Sequence, residues 1–256
     1  MLSTVVATYV TDSEWRKLCA EPLERSFKRF HPDIPFVILE GDDVNNVFNS
    51  DPTQNIRFLK PFLGKKLRDQ YERVILMDSD QMVVAPLTEL FENEAEVAGV
   101  RSNDDNGVSL PMGAFHSPDI PWQEYLNCGL VSIAKYEAWD HWEKLNRGPG
   151  PHMNDAEQGH WNTLFHCGKY SKKLLDPVDS NIIYGTAANS HHWHKLYMED
   201  GKVYLNLCGT PKHVKLLHRA GVGHIAHPSF QTASGYKFSA DNFRRDVAKF
   251  VEEVAS

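Results

Sequence analysis

The sequence predicts an α/β fold with a mainly parallel central sheet flanked by helices. Three apolar runs of strand length lie in the first third of the chain, at Thr4–Val10, Phe36–Leu39 and Val74–Met77. Segments long enough to form helices separate these runs. Strands that alternate with helices in this way are typical of βαβ units, which join parallel strands of one sheet.

Local signals support each of the early elements. After the first strand, Asp12 and Ser13 are candidate N-caps of a helix that runs to about Phe30. The second strand, Phe36–Leu39, ends in a polar run. A helix from about Pro61 to Tyr71 then leads into the third strand. These elements predict the first three parallel strands of the sheet.

The remaining elements are assigned from shorter patterns. We predict strands at Glu96–Val100, Leu130–Ile133 and Val214–His218, and helices at Tyr136–Leu145, Asp155–Phe165 and Phe243–Val254. Residues 101–122 and 184–193 are expected to be loops, and a loop as long as the first is usually functional. We find no repeat, low-complexity linker or change of composition, so a single domain over residues 1–256 is the simplest expectation.

The composition argues against several classes of protein. With 256 residues and 41% hydrophobic content the chain can form a substantial core, which argues against global disorder. The net charge of -7 argues against a nucleic-acid-binding surface. No apolar run is long enough to span a bilayer and no signal-peptide pattern is present, so we expect a cytoplasmic protein without a transmembrane segment. The scattered cysteines indicate reduced thiols, with two disulfides as the alternative in a secreted protein.

The strongest chemical signal is the segment Asp78-Ser79-Asp80, which directly follows the third apolar run. Ligands of open α/β sheets collect beyond the carboxyl ends of the strands. If the extended backbone continues through Ser79, both carboxylates point the same way and converge on one hard divalent cation. A solvated turn at the strand end is the alternative. A second apolar run encloses the charges, however, and enclosed carboxylates need a cation or a hydrogen-bonded partner.

Four segments carry a resemblance to a known family: Val74–Val84, Leu126–Leu130, Glu157–Thr163 and Leu217–His224. Together and in this order they resemble the nucleotide-sugar-dependent glycosyltransferases of GT-A fold, most closely the retaining group that contains glycogenin and bacterial galactosyltransferases. The first is similar to that group's metal-binding Asp-x-Asp strand, and the second to its Asn-x-Gly segment beneath the donor sugar. The third is similar to its Asp-Gln-x-x-x-Asn helix start, and the fourth to its closing His-x-x-Gly-x-x-Lys segment.

The resemblance implies that Asp78, Asp80 and His218 bind a Mn2+ or Mg2+ ion, together with diphosphate oxygens of the donor. The chemistry of these residues agrees with that role. Two carboxylates and one imidazole favour Mn2+, because nitrogen ligation suits a transition metal. For His218, a histidine at the edge of the core that is hydrogen-bonded to backbone is the alternative.

The resemblance also implies contacts to the nucleotide. Thr8 and Tyr9 lie at the end of the first strand, where this fold binds the base, and Tyr9 or Trp15 could stack on it. Core packing is the alternative for either ring. Ser79, between the two metal ligands, is expected to contact the donor.

Basic and small residues are implied at the donor phosphates. Lys60 is the candidate for donor phosphate or sugar, with Arg57 and Lys65 as rivals and a solvated helix face as the alternative. Gly221 would allow the backbone to approach phosphate closely, and a plain turn is its alternative. His224 stands where the family has a diphosphate-binding lysine, so this position is fully charged only when the imidazole is protonated. The family's Lys-Pro-Trp ending is absent.

The donor sugar is expected to contact two further segments. Asn127 and Gly129 would bind it or leave space for it, although a turn at a strand entry uses the same residues. Glu157 and Gln158 would line the reacting face of the sugar as the catalytic residues, and Glu157 stands where the family usually has Asp. Stabilisation of a helix N-terminus is the alternative for Glu157. Glu124 is a further candidate for a sugar hydroxyl.

The segment His191–His194 contains three histidines and Trp193. Residues at this spacing cannot all face one ion on regular structure and no cysteine lies nearby, so we do not expect a zinc site. We interpret the segment as a polar loop that shapes an acceptor pocket. Trp193 or Trp161 could stack on an acceptor sugar, with core packing as the alternative.

We therefore expect a metal-dependent glycosyltransferase with a nucleotide-binding half at residues 1–100 and an acceptor-binding and metal-completing half at residues 101–256. It would transfer a hexose from a nucleoside diphosphate sugar, with UDP-sugar as the first choice, to the hydroxyl of a glycan or other acceptor, with retention. One alternative is an inverting transferase with Asp104, Asp105 or Glu157 as general base. Another is a non-catalytic module that binds nucleotide sugar or carbohydrate. A sugar nucleotidyltransferase fits less well, because no Gly-rich basic loop follows the first strand.

Overall fold

The structure is a computed structural model. It describes residues 3–11, 13–44, 59–101, 120, 124–147, 156–176, 182–183, 196–207, 210–218, 230–231, 237–238, 249–250, 252–254 and 256. The chain forms two compact units. The first comprises residues 1–12, 34–77 and 88–175, and the second comprises residues 13–33, 78–87 and 176–256. That all 256 residues form a single domain stays a prediction.

The described strands and helices are numbered in chain order. The strands are β1 (Thr4–Tyr9), β2 (Phe36–Leu39), β3 (Arg73–Met77), β4 (Gln81–Val83), β5 (Val97–Arg101), β6 (Leu126–Ile133), β7 (Lys172–Leu175), β8 (Ile182–Ile183), β9 (Leu196–Glu199), β10 (Lys202–Leu207), β11 (Thr210–His213), β12 (Leu216–His218), β13 (Phe230–Gln231) and β14 (Lys237–Phe238). The helices are α1 (Ser13–Trp15), α2 (Glu21–Phe30), α3 (Lys60–Leu67), α4 (Thr88–Glu92), α5 (Tyr136–Arg147) and α6 (Ala156–His166). A π-helical turn, Arg16–Ala20, joins α1 to α2.

The first unit is built on a six-stranded sheet with the order β2-β1-β3-β6-β5-β7. β1 pairs in parallel with β2 and β3, and β5 pairs in parallel with β7. β6 is antiparallel to both of its neighbours, β3 and β5. The predicted α/β fold with a mainly parallel central sheet flanked by helices is therefore confirmed, with β6 as a reversed strand within it.

The core of the first unit contains three completely or almost completely buried tryptophans. Trp139 and Trp142 of α5 have ring centroids 6.0 Å apart, and Trp142 and Trp161 of α6 have centroids 5.2 Å apart. Aromatic rings at such distances add about 0.5–1.5 kcal/mol per pair beyond the apolar area they bury. Trp161 therefore packs in the core, so of its two predicted roles the structure supports core packing rather than stacking on an acceptor.

The pairing of β6 with β5 contains an irregularity. Gly99 of β5 lies opposite Val131, but the next residue, Val100, lies opposite Asn127. The three intervening residues of β6 therefore have no partner on β5 and form a bulge on that side, although Leu130 still pairs with Met77 of β3. Bulges bend a strand and redirect its side chains, and they are frequent beside active sites.

The second unit contains smaller sheets. One has the order β4-β12-β8, with β12 antiparallel to β4 and parallel to β8. A second, with the order β11-β10-β9, is fully antiparallel. Asp200 and Gly201 join β9 to β10 with positive φ angles of 48° and 71°. An Asp-Gly pair with both φ angles positive is the preferred chemistry of a tight type I′ hairpin turn.

Most predicted elements agree with the structure to within a few residues, and two starts differ for identifiable reasons. β6 begins at Leu126 rather than Leu130, because side chains of α6 bind the backbone of its first residues. β12 begins at Leu216 rather than Val214, because the Val214 N–H donates to the carbonyl of Val203 in β10. Most of the two predicted loops and of the closing helix lies outside the described residues. No helix in the described part of the chain combines the length and apolar character that a membrane span requires.

Candidate functional site

A cluster of two carboxylates and one imidazole lies in the second unit. Asp78 and Asp80 come between β3 and β4 in the chain, and His218 is the last residue of β12. Nε2 of His218 lies 3.4 Å from Oδ2 of Asp78 and 3.3 Å from Oδ1 of Asp80. One ligand atom from each residue lies within 4.8 Å of the others. The structure thus brings together the three predicted metal ligands.

Strand pairing explains how His218 reaches the two aspartates. In the antiparallel pair of β12 and β4, His218 lies opposite Gln81, the residue directly after Asp80. The N–H of Gln81 donates to the carbonyl of Asp78 at 3.2 Å, which closes the turn that carries both carboxylates. The apolar residues of β4 and β12 are buried, so the register of this pair is fixed by burial as well as by hydrogen bonds.

The surroundings of His218 fit a cation. The side chain is only 2% exposed, and neither ring nitrogen makes a hydrogen bond to any residue that the structure describes. The 3.3–3.4 Å contacts are therefore ion-pair distances without hydrogen-bond geometry. Burial alone would lower the pKa of His218, but the carboxylates of Asp80 and Asp78 raise it to about 9. A buried imidazole beside two carboxylates is a donor set that suits Mn2+, with Mg2+ second because it prefers oxygen ligands.

Ser79, between the two aspartates, is held by a side chain from the helical segment. Its Oγ accepts a hydrogen bond of 2.8 Å from Nε1 of Trp15, the last residue of α1. Trp15 was predicted either to stack on a base or to pack in the core. The structure shows a third arrangement, because its indole N–H is directed at the turn that carries the metal ligands.

A second cluster lies in the first unit and is organised by a buried ion pair. Nζ of Lys60 lies 2.9 Å from Oε1 of Glu157, and both side chains are almost completely buried. Nζ also donates to the carbonyl of Cys128 at 2.8 Å. The rival Lys65 instead pairs with Asp140 at 2.8 Å and with Glu143. Lys60 is therefore the basic residue of its helix that reaches the predicted sugar-binding segment of β6.

Gln158 joins the start of α6 to the bulge of β6. Its Oε1 accepts hydrogen bonds of 3.3 Å from Nδ2 of Asn127 and from the N–H of Cys128. Oδ1 of Asn127 in turn accepts a 2.7 Å hydrogen bond from the N–H of Gly129. A backbone N–H can only donate, so the contact with Cys128 fixes which end of the Gln158 amide is the oxygen. The four predicted residues Asn127, Gly129, Glu157 and Gln158 thus lie in one cluster with Lys60.

Asn162 supports this cluster, and no role was predicted for it. Its Oδ1 accepts from the N–H of Leu126 at 2.7 Å, and its Nδ2 donates to the carbonyl of Leu126 at 2.9 Å and to that of Gln158 at 2.8 Å. A side-chain amide thereby satisfies both backbone groups of a residue at the edge of the bulge. The signal was present in the sequence, because Asn162 belongs to the segment Glu157–Thr163 that carries the family resemblance.

The other predicted residues fall into two groups. Thr8 is completely buried in β1, and within the described residues its hydroxyl makes no hydrogen bond. Tyr9 packs against the core of the first unit. Glu124 is half exposed, and its Oε2 lies 3.7 Å from Nδ1 of His166. The remaining candidates lie outside the described residues: Arg57, Asp104, Asp105, residues 191–194, Gly221 and His224.

Comparison with known proteins identifies the fold. No family model and no curated protein sequence matches the chain. The bifunctional glycosyltransferase WbbM is similar with a TM-score of 0.58 and 14% identity, over 100% of this chain and 50% of WbbM. The galactosyltransferase LgtC, in complex with donor and acceptor sugar analogues, has a TM-score of 0.54 and 16% identity, over 98% of this chain and 94% of LgtC. A glycosyltransferase involved in the glycosylation of the major capsid of PBCV-1 has a TM-score of 0.53 and 13% identity, over 85% of this chain and 93% of its own.

The similarity at these identities concerns the fold. It shows that the chain has the GT-A type of α/β fold that the sequence predicts.

Proposed function

We propose that this chain is a metal-dependent glycosyltransferase that moves a hexose from a nucleoside diphosphate sugar, in the first place a UDP-sugar, to a hydroxyl of a glycan or other acceptor. The observation that carries the proposal is the convergence of Asp78, Asp80 and His218 in a chain with this fold. Two further observations support it. The structurally similar proteins are glycosyltransferases, and Asn127, Glu157 and Gln158 form a second polar cluster.

In this proposal, Asp78, Asp80 and His218 hold Mn2+, or Mg2+ as the second choice. The bound cation would supply Lewis-acid stabilisation of the charge that develops on the leaving diphosphate. The chain contributes two carboxylates that neutralise the ion and a buried imidazole that favours a transition metal. Ser79, Thr8, Tyr9, Gly221 and His224 remain the proposed contacts to the donor nucleotide and its phosphates.

The cluster around Gln158 would bind the hexose. Because Oε1 of Gln158 already accepts two hydrogen bonds, the group left for a substrate is Nε2, which makes no hydrogen bond to any residue that the structure describes. Gln158 therefore acts in our scheme as a donor to an oxygen of the sugar or acceptor. Asn127 and Gly129 hold the bulge that presents this amide.

Retention is the favoured outcome, because Glu157 is a poor general base. Its carboxylate is 6% exposed and its charge is paired with Lys60, so an incoming acceptor hydroxyl would compete with a buried ammonium for the same oxygen atoms. In the retaining scheme no carboxylate base is needed opposite the leaving group, and the departing phosphate accepts the proton of the acceptor. An inverting enzyme would need a base elsewhere.

A nucleotide-sugar screen tests the proposal. Thermal unfolding is followed with UDP, GDP and their hexose conjugates, each with Mn2+ and with EDTA, and donor hydrolysis is then measured for any sugar nucleotide that stabilises the chain. We expect stabilisation by a UDP-sugar that depends on Mn2+, slow hydrolysis, and an α-configured product when NMR is applied to transfer from an α-linked donor. Stabilisation without hydrolysis or transfer would favour a non-catalytic module. Absence of metal-dependent stabilisation by every nucleotide would contradict the proposal, and inversion would exclude the retaining scheme.

A further inference from the structure

Hydrogen bonds attach the helical segment that comprises α1, the π-helical turn and α2 to the chain around the metal ligands. Nε1 of Trp15 donates to Oγ of Ser79 at 2.8 Å. Oγ of Ser26 accepts from the N–H of Val83 at 3.2 Å, and Nε2 of His31 accepts from the N–H of Leu87 at 2.9 Å. One of these three contacts, the first, falls between the two predicted carboxylate ligands.

The position of Ser79 makes this contact consequential. Ser79 is the single residue between Asp78 and Asp80, so a rotation of its backbone changes the orientation of the two carboxylates relative to each other. The two carboxylates carry like charges, and their mutual repulsion opposes the compact turn that ligation requires. A hydrogen bond from a neighbouring helix to the middle residue opposes such a rotation without adding a charge.

The position of Trp15 is also unusual. It directly precedes the π-helical turn Arg16–Ala20, whose residues Cys19 and Ala20 are buried. A π-helical turn inserts a residue into a helix and redirects the side chains around it, and such turns are frequent at functional sites. The indole has a single polar hydrogen, and it is used on Ser79.

We propose that Trp15 is a positioning residue of the metal centre, which holds the Asp78-Ser79-Asp80 turn in its ligating shape before the ion arrives. The inference rests on the proposed metal site and adds to it a residue that does not touch the ion. Its consequence is that the indole N–H contributes to metal affinity through Ser79. A ring that lacks the N–H keeps the packing of the helix but leaves the turn less constrained.

The expected size of the effect follows from the value of one hydrogen bond. The net contribution of such a bond corresponds to a change of about two- to twelvefold in an equilibrium constant. We therefore expect Trp15→Phe and Ser79→Ala each to weaken Mn2+ binding within that range. Both variants remove the same hydrogen bond. The double variant Trp15→Phe/Ser79→Ala should therefore bind Mn2+ with no lower affinity than the single variant that has the lower affinity.

The test is a titration of the metal-free 256-residue chain with MnCl2 in the absence of any nucleotide, with unbound Mn2+ measured by EPR. Ser26→Ala is the matched control, because it removes a hydrogen bond between the same two segments away from the ligands. It should lower the thermal stability in EDTA and leave the affinity for Mn2+ unchanged. If Trp15→Phe proves unfolded by circular dichroism in EDTA, Ser79→Ala alone decides, because it removes the same contact from the other side.

The outcomes separate this inference from the proposed function. The positioning role is supported if the wild-type chain binds Mn2+, both single variants bind it more weakly, and their losses of affinity do not add in the double variant. Wild-type affinity in both folded variants, or losses that add in the double variant, would overturn the role of Trp15 and leave the metal site intact. A wild-type chain that does not bind Mn2+ would remove the metal site and the role of Trp15 together.

Discussion

The ammonium group of Lys60 lies 2.9 Å from the carboxylate of Glu157, and the two side chains are 2% and 6% exposed. The sequence predicts each of them as a separate contact to the donor, whereas the structure pairs them with each other. A buried ion pair is weak evidence for stability, but the loss of one partner leaves the other charge buried and uncompensated.

We therefore predict that Lys60→Met destabilises the protein strongly, by about 3–5 kcal/mol. The double variant Lys60→Met/Glu157→Leu should recover much of this loss, because no unpaired charge then remains. Chemical denaturation of both variants and of Glu157→Leu measures the coupling between the two residues. If the two single losses simply add in the double variant, the pair is not coupled as the structure indicates.

Removal of one carboxylate from the metal cluster should abolish metal binding. Loss of a residue that only supports a ligand costs about 10–100-fold in affinity, so the loss of a ligand in Asp80→Asn should exceed about 100-fold for Mn2+. Transfer should be lost with it. Asp140→Asn is the control, since this residue carries an exposed carboxylate in an ion-pair network with Lys65 and Arg68. Normal turnover by Asp80→Asn would contradict the metal site.

The stability of the metal-free protein should depend on the protonation of His218. Its pKa of about 9 exceeds the ordinary value of 6.5, despite a burial that alone would lower it, because Asp80 and Asp78 favour the charged form. The contribution of the charged His218 side chain to the free energy of unfolding is therefore fully present below pH 6.5 and is lost as the pH rises through about 9. Its size is on the order of 3 kcal/mol.

This pH dependence is measured by urea denaturation in EDTA, with His218→Gln as the reference that removes the group. The difference in unfolding free energy between the two proteins should shrink between pH 6.5 and 9.5. A constant difference over that interval would mean that His218 is neutral throughout. With Mn2+ present, the ion replaces the proton, so the affinity for Mn2+ should rise with pH over the same interval.

Two substitutions of Gln158 should separate its structural role from its proposed role in transfer. Gln158→Leu removes the oxygen that accepts from the buried Nδ2 of Asn127 and from the partly buried N–H of Cys128, and the loss of an acceptor costs about 1–3 kcal/mol for a buried donor. Gln158→Glu keeps an acceptor oxygen but loses the Nε2 donor. We expect the first to be unstable, and the second to fold with a reduced kcat. A Glu variant with unchanged kcat would show that Nε2 does not act on the substrate.

The packing of α3 against α5 can be tested at Gly64. A Cβ atom at this position would overlap the ring of Trp139, whose side chain is almost completely buried. Gly64→Ala should therefore destabilise the protein by about 1–3 kcal/mol, although alanine is the better helix former. Lys66→Ala, at an exposed position of the same helix, should change the stability by less than about 1 kcal/mol. Equal melting temperatures for the two variants would contradict this packing.

Features that depend on residues adjacent in the chain could be predicted from the sequence alone. The apolar strand β3 and the carboxylates that follow it are adjacent in the chain, so their relationship is readable without a fold. The hairpin between β9 and β10 was equally readable from Asp200-Gly201 and the alternating residues Val203, Leu205 and Leu207, but we did not predict it.

Features that depend on contacts between residues far apart in the chain could not be predicted from local sequence patterns. His218 reaches Asp80 only through the register of β12 on β4, and family resemblance rather than spacing pointed to it. A tryptophan near the start of a helix is most simply interpreted as a core residue, so its bond to Ser79 had no signal in the sequence. The reversed direction of β6 has the same cause, because strand polarity within a sheet is decided by tertiary connections.

The separation of the metal ligands along the chain also has a consequence for synthesis. His218 follows Asp80 by 138 residues, which at a ribosomal rate of about 5–20 residues per second is a delay of roughly 7–28 s. During that time the nascent chain carries the two like charges of Asp78 and Asp80 in one segment and lacks the histidine that lies beside them in the folded protein. Both partners of the Trp15–Ser79 hydrogen bond emerge before His218, so the order of synthesis allows the turn to be held while its third ligand is still to be made.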